Sequence, residues 1–464
     1  MYMVVNQNPV DRELNPGQVA LDFLRAGLGL TGVKEGCREG DCGACTILLG
    51  RTYGEQLIYQ SVVSCLLPLG DCAGKHLVTI EGLNTPALNP VQQAFVDQGA
   101  VQCGFCTPGL IVALTGYLLA AENWNEEEAL LSIAGNICRC TGYAAIRRAV
   151  RQVLAGLPDP AGKPRVELLI GSGYLPPYFA GIPDLLAGRP AGPALPMPGA
   201  IAIAGGTDLY VQKPEYLENS PLTLLSARSE LRGIGIAEDR CRIGGGTTVE
   251  ELRLAPELRA ILPGLPAFLR LVSSTQIRNR ATVAGNLVNA SPIGDLTILL
   301  LALDAEVELS DGHQSRAIPL RSFYLAYKKM DRQEEELLTA VQFTLPRPGD
   351  LFNFEKVGRR EYLDIAGVNS ACLLRMNGGA VEEVHLSAGG VAPVPLYLAQ
   401  CCAYLRGREL DAAAITEALR VADGEIVPID DVRGSADYKR LLLQQLLKAH
   451  FIKLLPDRFS RGIQ

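Results

Sequence analysis

The chain has 464 residues, 48% of them hydrophobic and 20% charged, which is the composition of an ordinary globular protein of several domains and not of a disordered one. A net charge of −7 and the lack of basic runs leave no electrostatic footprint for nucleic acid, so none is expected as a partner. The longest apolar stretches, 110–121 and 296–303, are too short to span a bilayer and read as buried core elements.

Residues 1 to about 75 predict a small α+β unit. Met3–Val5 and Val10–Leu14 alternate around Asn6-Gln7-Asn8-Pro9, the pattern of a hairpin. Val19–Ala26 predicts a short amphipathic helix that turns Leu21, Phe23 and Leu24 to a core. A loop follows that reads Cys37-Arg-Glu-Gly-Asp-Cys42-Gly-Ala-Cys45, and strands around Thr46–Leu49 and Leu57–Val63 lead to Cys65. C-x4-C-x2-C with a distant fourth cysteine is the plant-type ferredoxin spacing, and four thiolates are what a [2Fe–2S] cluster requires. Gly36, Gly40 and Gly43 separate the ligands, which suits backbone that wraps closely round a cluster.

From about 80 to 155 the apolar period lengthens to between three and four, and helices are predicted at Pro90–Asp97, Pro108–Ala121, Glu126–Ser132 and Tyr143–Leu154. Here stands a second four-cysteine set, Cys103-Gly-Phe-Cys106 and Cys138-Arg-Cys140. Structural zinc is a rival for this set, although paired C-x2-C knuckles are the commoner zinc spacing. Pro108 can open a helix just after Cys106, so two helix N-termini would face the thiolates with positive dipole ends. Disulfides are disfavoured, because Met1–Val10 has neither the basic nor the apolar region of a signal peptide. None of the four histidines falls in either set, which disfavours a Rieske centre. Cys72, Cys241, Cys372, Cys401 and Cys402 lack ligand spacing and read as small buried hydrophobes. The expectation is a soluble, cytoplasmic protein.

Residues 156–200 are rich in proline and glycine and read as a connecting segment over the surface. Leu195-Pro-Met-Pro would deliver the chain into the next domain. Ala200-Ile-Ala-Ile-Ala-Gly-Gly-Thr-Asp-Leu209 reads as a buried strand ending in a turn, and Cys241–Leu252 as strand, glycine turn and threonine-capped helix. Gly205-Gly206-Thr207 and Gly285-Asn286 offer backbone N–H groups without a side chain in the way, the chemistry of a pyrophosphate cradle. Neither fits G-x-G-x-x-G, and the chain has no P-loop motif. Strands near Phe352–Val357, Ile365–Arg375 and Val381–Ala388 and helices at Asp411–Ala422 and Ala436–Leu455 close the chain. One-electron centres need a terminus that also handles electron pairs, and flavin has that property.

The order of C-x4-C-x2-C…C, C-x2-C-x31-C-x-C, A-G-G-T-D-L and T-V-A-G-N-L-V-N-A-S-P-I-G-D resembles the xanthine dehydrogenase/xanthine oxidase family of molybdenum hydroxylases. More narrowly, it is similar to the small subunit of the two-chain bacterial enzymes. The resemblance implies an α+β multidomain chain: a β-grasp [2Fe–2S] ferredoxin domain over 1–78, an all-helical [2Fe–2S] domain over 79–156, and a linker over 157–195. A two-part α+β FAD-binding domain of the vanillyl-alcohol-oxidase/PCMH type follows over 196–347, and a C-terminal α+β flavoprotein domain over 348–457. It implies electrons from molybdopterin in a partner chain, passing to the cluster on Cys103, Cys106, Cys138 and Cys140, then to that on Cys37, Cys42, Cys45 and Cys65, then to FAD and NAD+. Ile203, Ala204, Gly205, Gly206, Thr207, Asp208 and Leu209 would cradle the FAD pyrophosphate with Thr282, Gly285 and Asn286. Asp295 would hold FAD hydroxyls, and Lys356 would lie close to the flavin. Gln102 would face the pterin across the subunit boundary. Tyr327 would stand near the nicotinamide, where the family's following arginine is Lys328, which loses a planar fork. Read without the family, Asp295 suits a helix N-cap, Lys356 a solvated strand lysine and Tyr327 a half-buried surface aromatic. No catalytic residue is expected on this chain, whose partner would be a molybdopterin-binding large subunit in a heterotetramer or higher assembly. The main expectation is xanthine dehydrogenase chemistry. The same architecture serving an aldehyde or N-heterocycle hydroxylase, or a free-standing iron–sulfur flavoprotein carrier, are the alternatives.

Overall fold

Asn6 takes a left-handed conformation, φ 56°, and so turns the chain in two residues from the strand Tyr2–Val5 into Asn8–Asp11. The second strand of the hairpin therefore begins at Asn8, earlier than the expected Val10–Leu14, and Pro9 is tolerated because this is an edge strand. The computed structural model describes residues 1–54, 56–159, 164–189 and 199–459. They form two compact units, the first built from Met1–Arg228 with Ser274–Ala281, the second from Ser229–Ser273 with the chain from Thr282 onward.

In the first unit, Asn8–Asp11, Tyr2–Val5, His76–Val78, Thr46–Tyr53 and Gln56–Val63 make one mixed sheet in that order, with Tyr2–Val5 and His76–Val78 parallel. The helix expected over Val19–Ala26 starts as α at Ala20–Asp22 and widens to a π turn over Phe23–Gly27, keeping Leu21, Phe23 and Leu24 buried. Helices Pro90–Asp97 and Glu126–Ser132 stand where the periodicity placed them. Asn89 and Gln92 close a capping box on the former, and Asn125 caps the latter. Thr107–Ala120 is buried on almost every side and lies against the sheet. Its Gly109 and Gly116 are seven residues apart, hence on one face. A Cβ on Gly116 would come within 2.8 Å of Leu48 Cδ2, and one on Gly109 within 2.4 Å of the Gly43 carbonyl.

The proline-rich stretch expected to run over the surface instead carries the helix Arg165–Gly171, a 3-10 turn at Pro177–Gly181 and the helix Ile182–Leu186. Its apolar residues explain the difference. Leu169, Tyr174, Leu175 and Phe179 join the helical core, and Phe179 stacks on Tyr59 and His76. Most of Gly-Arg-Pro-Ala-Gly-Pro and all of Leu195-Pro-Met-Pro lie outside the described residues. A short parallel ribbon, Ile201–Ile203 with Leu222–Leu224, completes the first unit, and the strand ends at the Gly205-Gly206 turn as expected.

The second unit has two larger antiparallel sheets beside a two-stranded one, Tyr324–Ala326 with Lys329–Met330. One orders Ser315–Pro319, Glu306–Ser310, Leu337–Thr344, Arg240–Gly244 and Ile234–Ala237. The strands between 306 and 344 were not expected, although Glu306-Val-Glu-Leu-Ser310 alternates plainly and buries Val307 and Leu309. The other is a meander of Leu351–Val357, Val368–Asn377, Ala380–Gly389 and Leu396–Tyr397, and its core is shared with the helices Ala399–Leu405, Ala412–Glu425 and Ala436–Leu454. The region expected to form one FAD domain, 196–347, is thus divided in sequence between the units.

The glycine face of Thr107–Ala120 leads to a stability test. Gly116→Val should destabilise the first unit by about 1–3 kcal/mol through overpacking against Leu48 and Ser61. Gly171→Ala, at a helix end where a Cβ meets nothing within 4 Å, should stay within about 0.5 kcal/mol of the parent. Urea midpoints of the two variants check the contrast, and equal midpoints would refute the packing argument.

Candidate electron-transfer centres and flavin site

The first cysteine set is held by a loop between the widened helix and the strand Thr46–Tyr53, with Cys65 in the 3-10 turn Ser64–Leu66. Its sulfurs meet two by two. Cys37 lies within hydrogen-bonding reach of Cys42, and Cys45 of Cys65. Hydrogen bonding from Cys42 pulls the Cys37 thiol down to about 5, while the same contact pushes Cys42 up. Cys65 lowers Cys45 and is itself raised, again through their mutual hydrogen bond. Two thiolates this close repel each other, and a cation shared by the pair relieves that repulsion.

The second set repeats the arrangement. The Cys140 and Cys103 sulfurs are 3.5 Å apart, and Cys106 pairs with Cys138. Cys106 is the N-cap of Thr107–Ala120, so one ligand sits at a long helix's N-terminus as expected. Cys138 and Cys140 precede Ala144–Ala155 across a turn in which Gly142 and Tyr143 are both left-handed. Burial raises Cys106 to about 12. Cys138 is lowered: burial pushes it up, but hydrogen bonds from Thr141 and Cys106 outweigh that. Cys103 and Cys140 are exposed, Cys106 and Cys138 buried. Two pairs of sulfurs match two metals with two protein ligands each, the need of a [2Fe–2S] cluster, better than one tetrahedral zinc. The residues present fit two such clusters.

The two sets are joined through backbone. Ile137, next to ligand Cys138, donates its N–H to the carbonyl of ligand Cys42 at 3.0 Å. Asn136 Nδ2 donates to the Gly43 carbonyl at 2.8 Å, and Gln276 Nε2 donates to Asn136 Oδ1 at 3.0 Å and to the Ser132 carbonyl at 2.9 Å. Sequence reasoning missed Asn136 and Gln276. Their signal is polar residues in a stretch that otherwise reads as core, and both are buried.

The flavin candidates fall in both units. In the first, Ile203 ends its strand, Gly205 and Gly206 are buried, and Ala204, Thr207, Asp208 and Leu209 are half-buried. Gly206 needs its positive φ of 74°, and a Cβ on Gly205 would lie 2.2 Å from the Arg280 carbonyl. Asp208 accepts a hydrogen bond from Gln212. Arg280 Nε is a buried donor without a partner among the described residues.

In the second unit, Thr282 caps the short helix Val283–Val288 and takes the Gly285 N–H on its hydroxyl at 3.1 Å. The amides of Val283, Ala284 and Asn286 go to the Thr247, Gly245 and Thr282 carbonyls. The expected bare N–H groups at Gly285-Asn286 are therefore spent within the protein, because the threonine cap claims them. Asn286 Oδ1 remains buried and unpartnered, and Gly285 is exposed, with only the Thr282 hydroxyl within 4 Å of a built Cβ. Asp295 is the first residue of the helix Asp295–Ala302, whose N-cap is Gly294. Its carboxylate accepts from Lys356 Nζ at 2.6 Å and from Asn369 Nδ2 at 2.6 Å. The Lys356 and Asp295 side chains are only 5% and 11% exposed, so Lys356 is no solvated strand lysine. Burial raises the Asp295 carboxyl despite both partners. Tyr327 is exposed, and Lys328 donates to Asn289 Oδ1 at 2.9 Å. Orphaned acceptors and donors beside glycines fit a ligand rich in hydroxyls and phosphates such as FAD.

Four family models match. Residues 3–69 match a 2Fe-2S iron-sulfur cluster binding domain, 79–151 a [2Fe-2S] binding domain, 191–348 the FAD binding domain in molybdopterin dehydrogenase, and 353–454 the CO dehydrogenase flavoprotein C-terminal domain. The chain is 29% identical over 524 aligned residues to xanthine dehydrogenase 1 of Arabidopsis thaliana, covering 92% of this chain and 38% of that protein. It is 26% identical to aldehyde oxidase 2 of Cavia porcellus, covering 98% of this chain and 40% of that one. It thus spans about two fifths of the length of these curated relatives. A solved carbon monoxide dehydrogenase chain from Hydrogenophaga pseudoflava superposes with TM-score 0.53 and 28% identity, covering 56% of this chain and 90% of that chain. A chain of quinoline 2-oxidoreductase from Pseudomonas putida 86, at TM-score 0.52 and 24% identity, over 56% of this chain and 91% of that one, shares the fold alone. No helix among the described residues is long and apolar enough to cross a membrane. With two cluster-binding domains ahead of a flavin-binding pair, the chain belongs to the iron–sulfur and FAD flavoproteins of the molybdopterin-dehydrogenase and carbon monoxide dehydrogenase type, and it is an electron relay.

Proposed function

We propose that this chain is the electron-transfer subunit of a molybdenum hydroxylase, the small iron–sulfur and FAD subunit of a two-chain xanthine dehydrogenase. A partner chain bearing molybdopterin oxidises xanthine or hypoxanthine, and this chain passes the electrons through two [2Fe–2S] clusters to FAD and on to NAD+. The observation that carries the reading is the hydrogen bond from Ile137 N–H to the Cys42 carbonyl, which ties the ligand loops of two one-electron centres together in a chain that continues into a flavin module. Bound clusters supply one-electron steps, and bound FAD joins them to a two-electron acceptor.

The residues have separable tasks in this reading. The eight cysteines hold the clusters, and Asn136 and Gln276 keep the two loops in register. Ile203–Leu209 is the first unit's candidate for the FAD pyrophosphate, and Thr282, Gly285 and Asn286 are the second unit's candidates for the cofactor. Asp295 holds FAD hydroxyls while Lys356 keeps that carboxylate charged and places a cation near the flavin. Tyr327 is free to meet a nicotinamide, whereas Lys328 is tethered to Asn289. Gln102 is exposed beside Cys103, where a pterin-bearing partner would dock. Likeness to plant xanthine dehydrogenases supports a purine as the substrate. The likeness to an aldehyde oxidase over 98% of the chain favours a second reading, the same relay serving an aldehyde or N-heterocycle hydroxylase.

Purification of the chain with whatever binds it, followed by molybdenum analysis and assay with xanthine and NAD+, tests the main reading. Molybdenum should travel with the complex, and the chain stripped of its partner should not hydroxylate xanthine while still passing electrons from NADH to a dye. Purine turnover by the chain alone would refute the division of labour.

The paired sulfurs predict four irons and one FAD per chain, with two distinct [2Fe–2S] signals in the EPR spectrum of the reduced protein. Cys138→Ser should remove one signal and spare the other. One zinc with two irons would show the second set to be a zinc site.

For the flavin site, Gly285→Val and Asp295→Asn should yield protein depleted in FAD but red-brown from intact clusters. Asn is preferable to Ala at 295, because its amide oxygen can still accept from the buried Lys356 Nζ while the charge is removed. Losing a hydrogen bond to a charged group costs roughly 1.5–3 kcal/mol, about tenfold to a hundredfold in affinity. Normal flavin content in both variants after gel filtration would place FAD elsewhere.

A further inference from the structure

Asp71 sits in the 3-10 turn Leu69–Cys72, six residues after ligand Cys65. Its carboxylate is buried, and it accepts hydrogen bonds from Arg280 Nη2 and from Ser226 Oγ. The same Arg280 Nη2 donates at 3.0 Å to the carbonyl of Gly205. Arg280's own carbonyl leaves no room for a side chain at Gly205, since a Cβ there would lie 2.2 Å away. The Gly205-Gly206 turn is therefore gripped by one arginine through both its backbone and its guanidinium, and the arginine is anchored in turn on the ferredoxin-type portion of the same unit. Burial pushes the Asp71 carboxyl up, but Arg280, Lys75 and Ser226 outweigh it and the group stays ionised. A lone buried arginine would be costly, and its pairing with Asp71 is what allows it to stand here at all.

We propose that Arg280, held by Asp71, is a positioning residue for the flavin loop: it fixes the Gly205-Gly206 turn in the shape that receives the FAD pyrophosphate and makes flavin affinity depend on the ferredoxin-type fold. This rests on the assignment of Ile203–Leu209 to FAD. Arg280 spends Nη2 on the carboxylate and the carbonyl, while its Nε–H has no described partner, so positive charge beside the turn is not fully consumed. The N–H groups of Gly206 and Thr207 likewise donate to no described backbone partner. A turn with free amides, next to an arginine with a free donor, is arranged for a diphosphate once its shape is fixed. Without the guanidinium the Gly205 carbonyl loses its donor and the turn is free to rotate, which scatters those amides.

The test uses the full chain, reduced to its deflavinated form and titrated with FAD, with iron content, EPR of both clusters and urea midpoint read on each preparation. Arg280→Met should keep four irons and both cluster signals while the FAD dissociation constant rises at least tenfold. Arg280→Lys retains a cationic donor for Gly205 and Asp71 and should recover affinity to within about threefold of the parent. Asp71→Asn, equal in size, should fall between them, and it carries the test alone if Arg280→Met does not fold. Wild-type affinity in both Arg280→Met and Asp71→Asn would overturn the proposal. So would equal FAD loss in Arg280→Met and Arg280→Lys that tracks a fallen urea midpoint, because that is a structural role only. A parent chain that binds no FAD would overturn the flavin reading and this inference with it.

Discussion

The close approach of the two cluster loops is the constraint around which the first unit is organised. Gly43 stands at the contact with φ 66°, and a Cβ on it would lie 2.5 Å from the Gly135 carbonyl. On the other side, a Cβ on Gly109 would strike the Gly43 carbonyl at 2.4 Å. Glycine at 43 and 109 is thus required by packing before any cluster is considered, and it lets the helix Thr107–Ala120 and the segment Gly135–Cys138 lie on the first ligand loop. Electron tunnelling weakens steeply with distance and favours bonded paths over gaps. A route of one residue, one hydrogen bond and a ligand carbonyl is short on both counts. Any side chain at 43 would push the loops apart and lengthen it.

The segment Ser274–Ala281 extends the same logic. Although it comes late in the chain, it packs in the first unit. Gln276 braces Asn136, Ile277 fills the space over Gly40, and Asn279 donates to the Ser61 carbonyl at 2.8 Å. Gln276 and Asn279 are polar groups taken out of water, which is unfavourable wherever a buried atom lacks a partner, as Gln276 Oε1 does among the described residues. They do little for net stability; what they provide is a single geometry for the loops they touch. Two of the buried ion pairs among the described residues, Asp71 with Arg280 and Asp295 with Lys356, fit that description. Replacing such a pair by well-packed apolar groups is often neutral or stabilising, so their presence beside the candidate flavin loops points to positioning.

The cluster-binding domains were legible in the sequence because a binuclear centre imposes hard requirements on a short stretch. Thiolates must be four, spacing must close a loop, and glycines must clear the backbone, so Cys37 to Cys45 announces itself. The helices of the second domain were legible for a similar local reason. Their apolar period is carried by neighbouring residues within each segment, and the structure adds the caps at Asn89 and Asn125 that the period did not reveal. What escaped notice depends on partners distant in sequence. Nothing local to Arg165–Leu186 says that its aromatics will stack on His76 and Tyr59, so proline and glycine there looked like a linker. Asn136 and Arg280 are informative only once Gly43 and Asp71 are known to face them.

The flavin site lay between these extremes, and its mixed outcome has a physical cause. A diphosphate can be held by backbone amides, which leave no side-chain signature beyond glycine, and glycine serves many purposes. Gly206 is needed for a positive φ and Gly205 for clearance from the Arg280 carbonyl, whether or not a phosphate approaches. Gly285 was expected to bare its amide, yet Thr282 takes it, because a threonine ahead of a helix competes for the amide a ligand would use. Asp295 and Lys356 were placed by resemblance and not by any pattern, being 61 residues apart, and the structure joins them in one buried pair. Burial raises the Asp295 carboxyl while Lys356 and Asn369 pull it back down, so both residues favour its charged form and fix its orientation. Hydroxyls that bind there exploit a group prepared in advance, and that preparation is visible only in three dimensions.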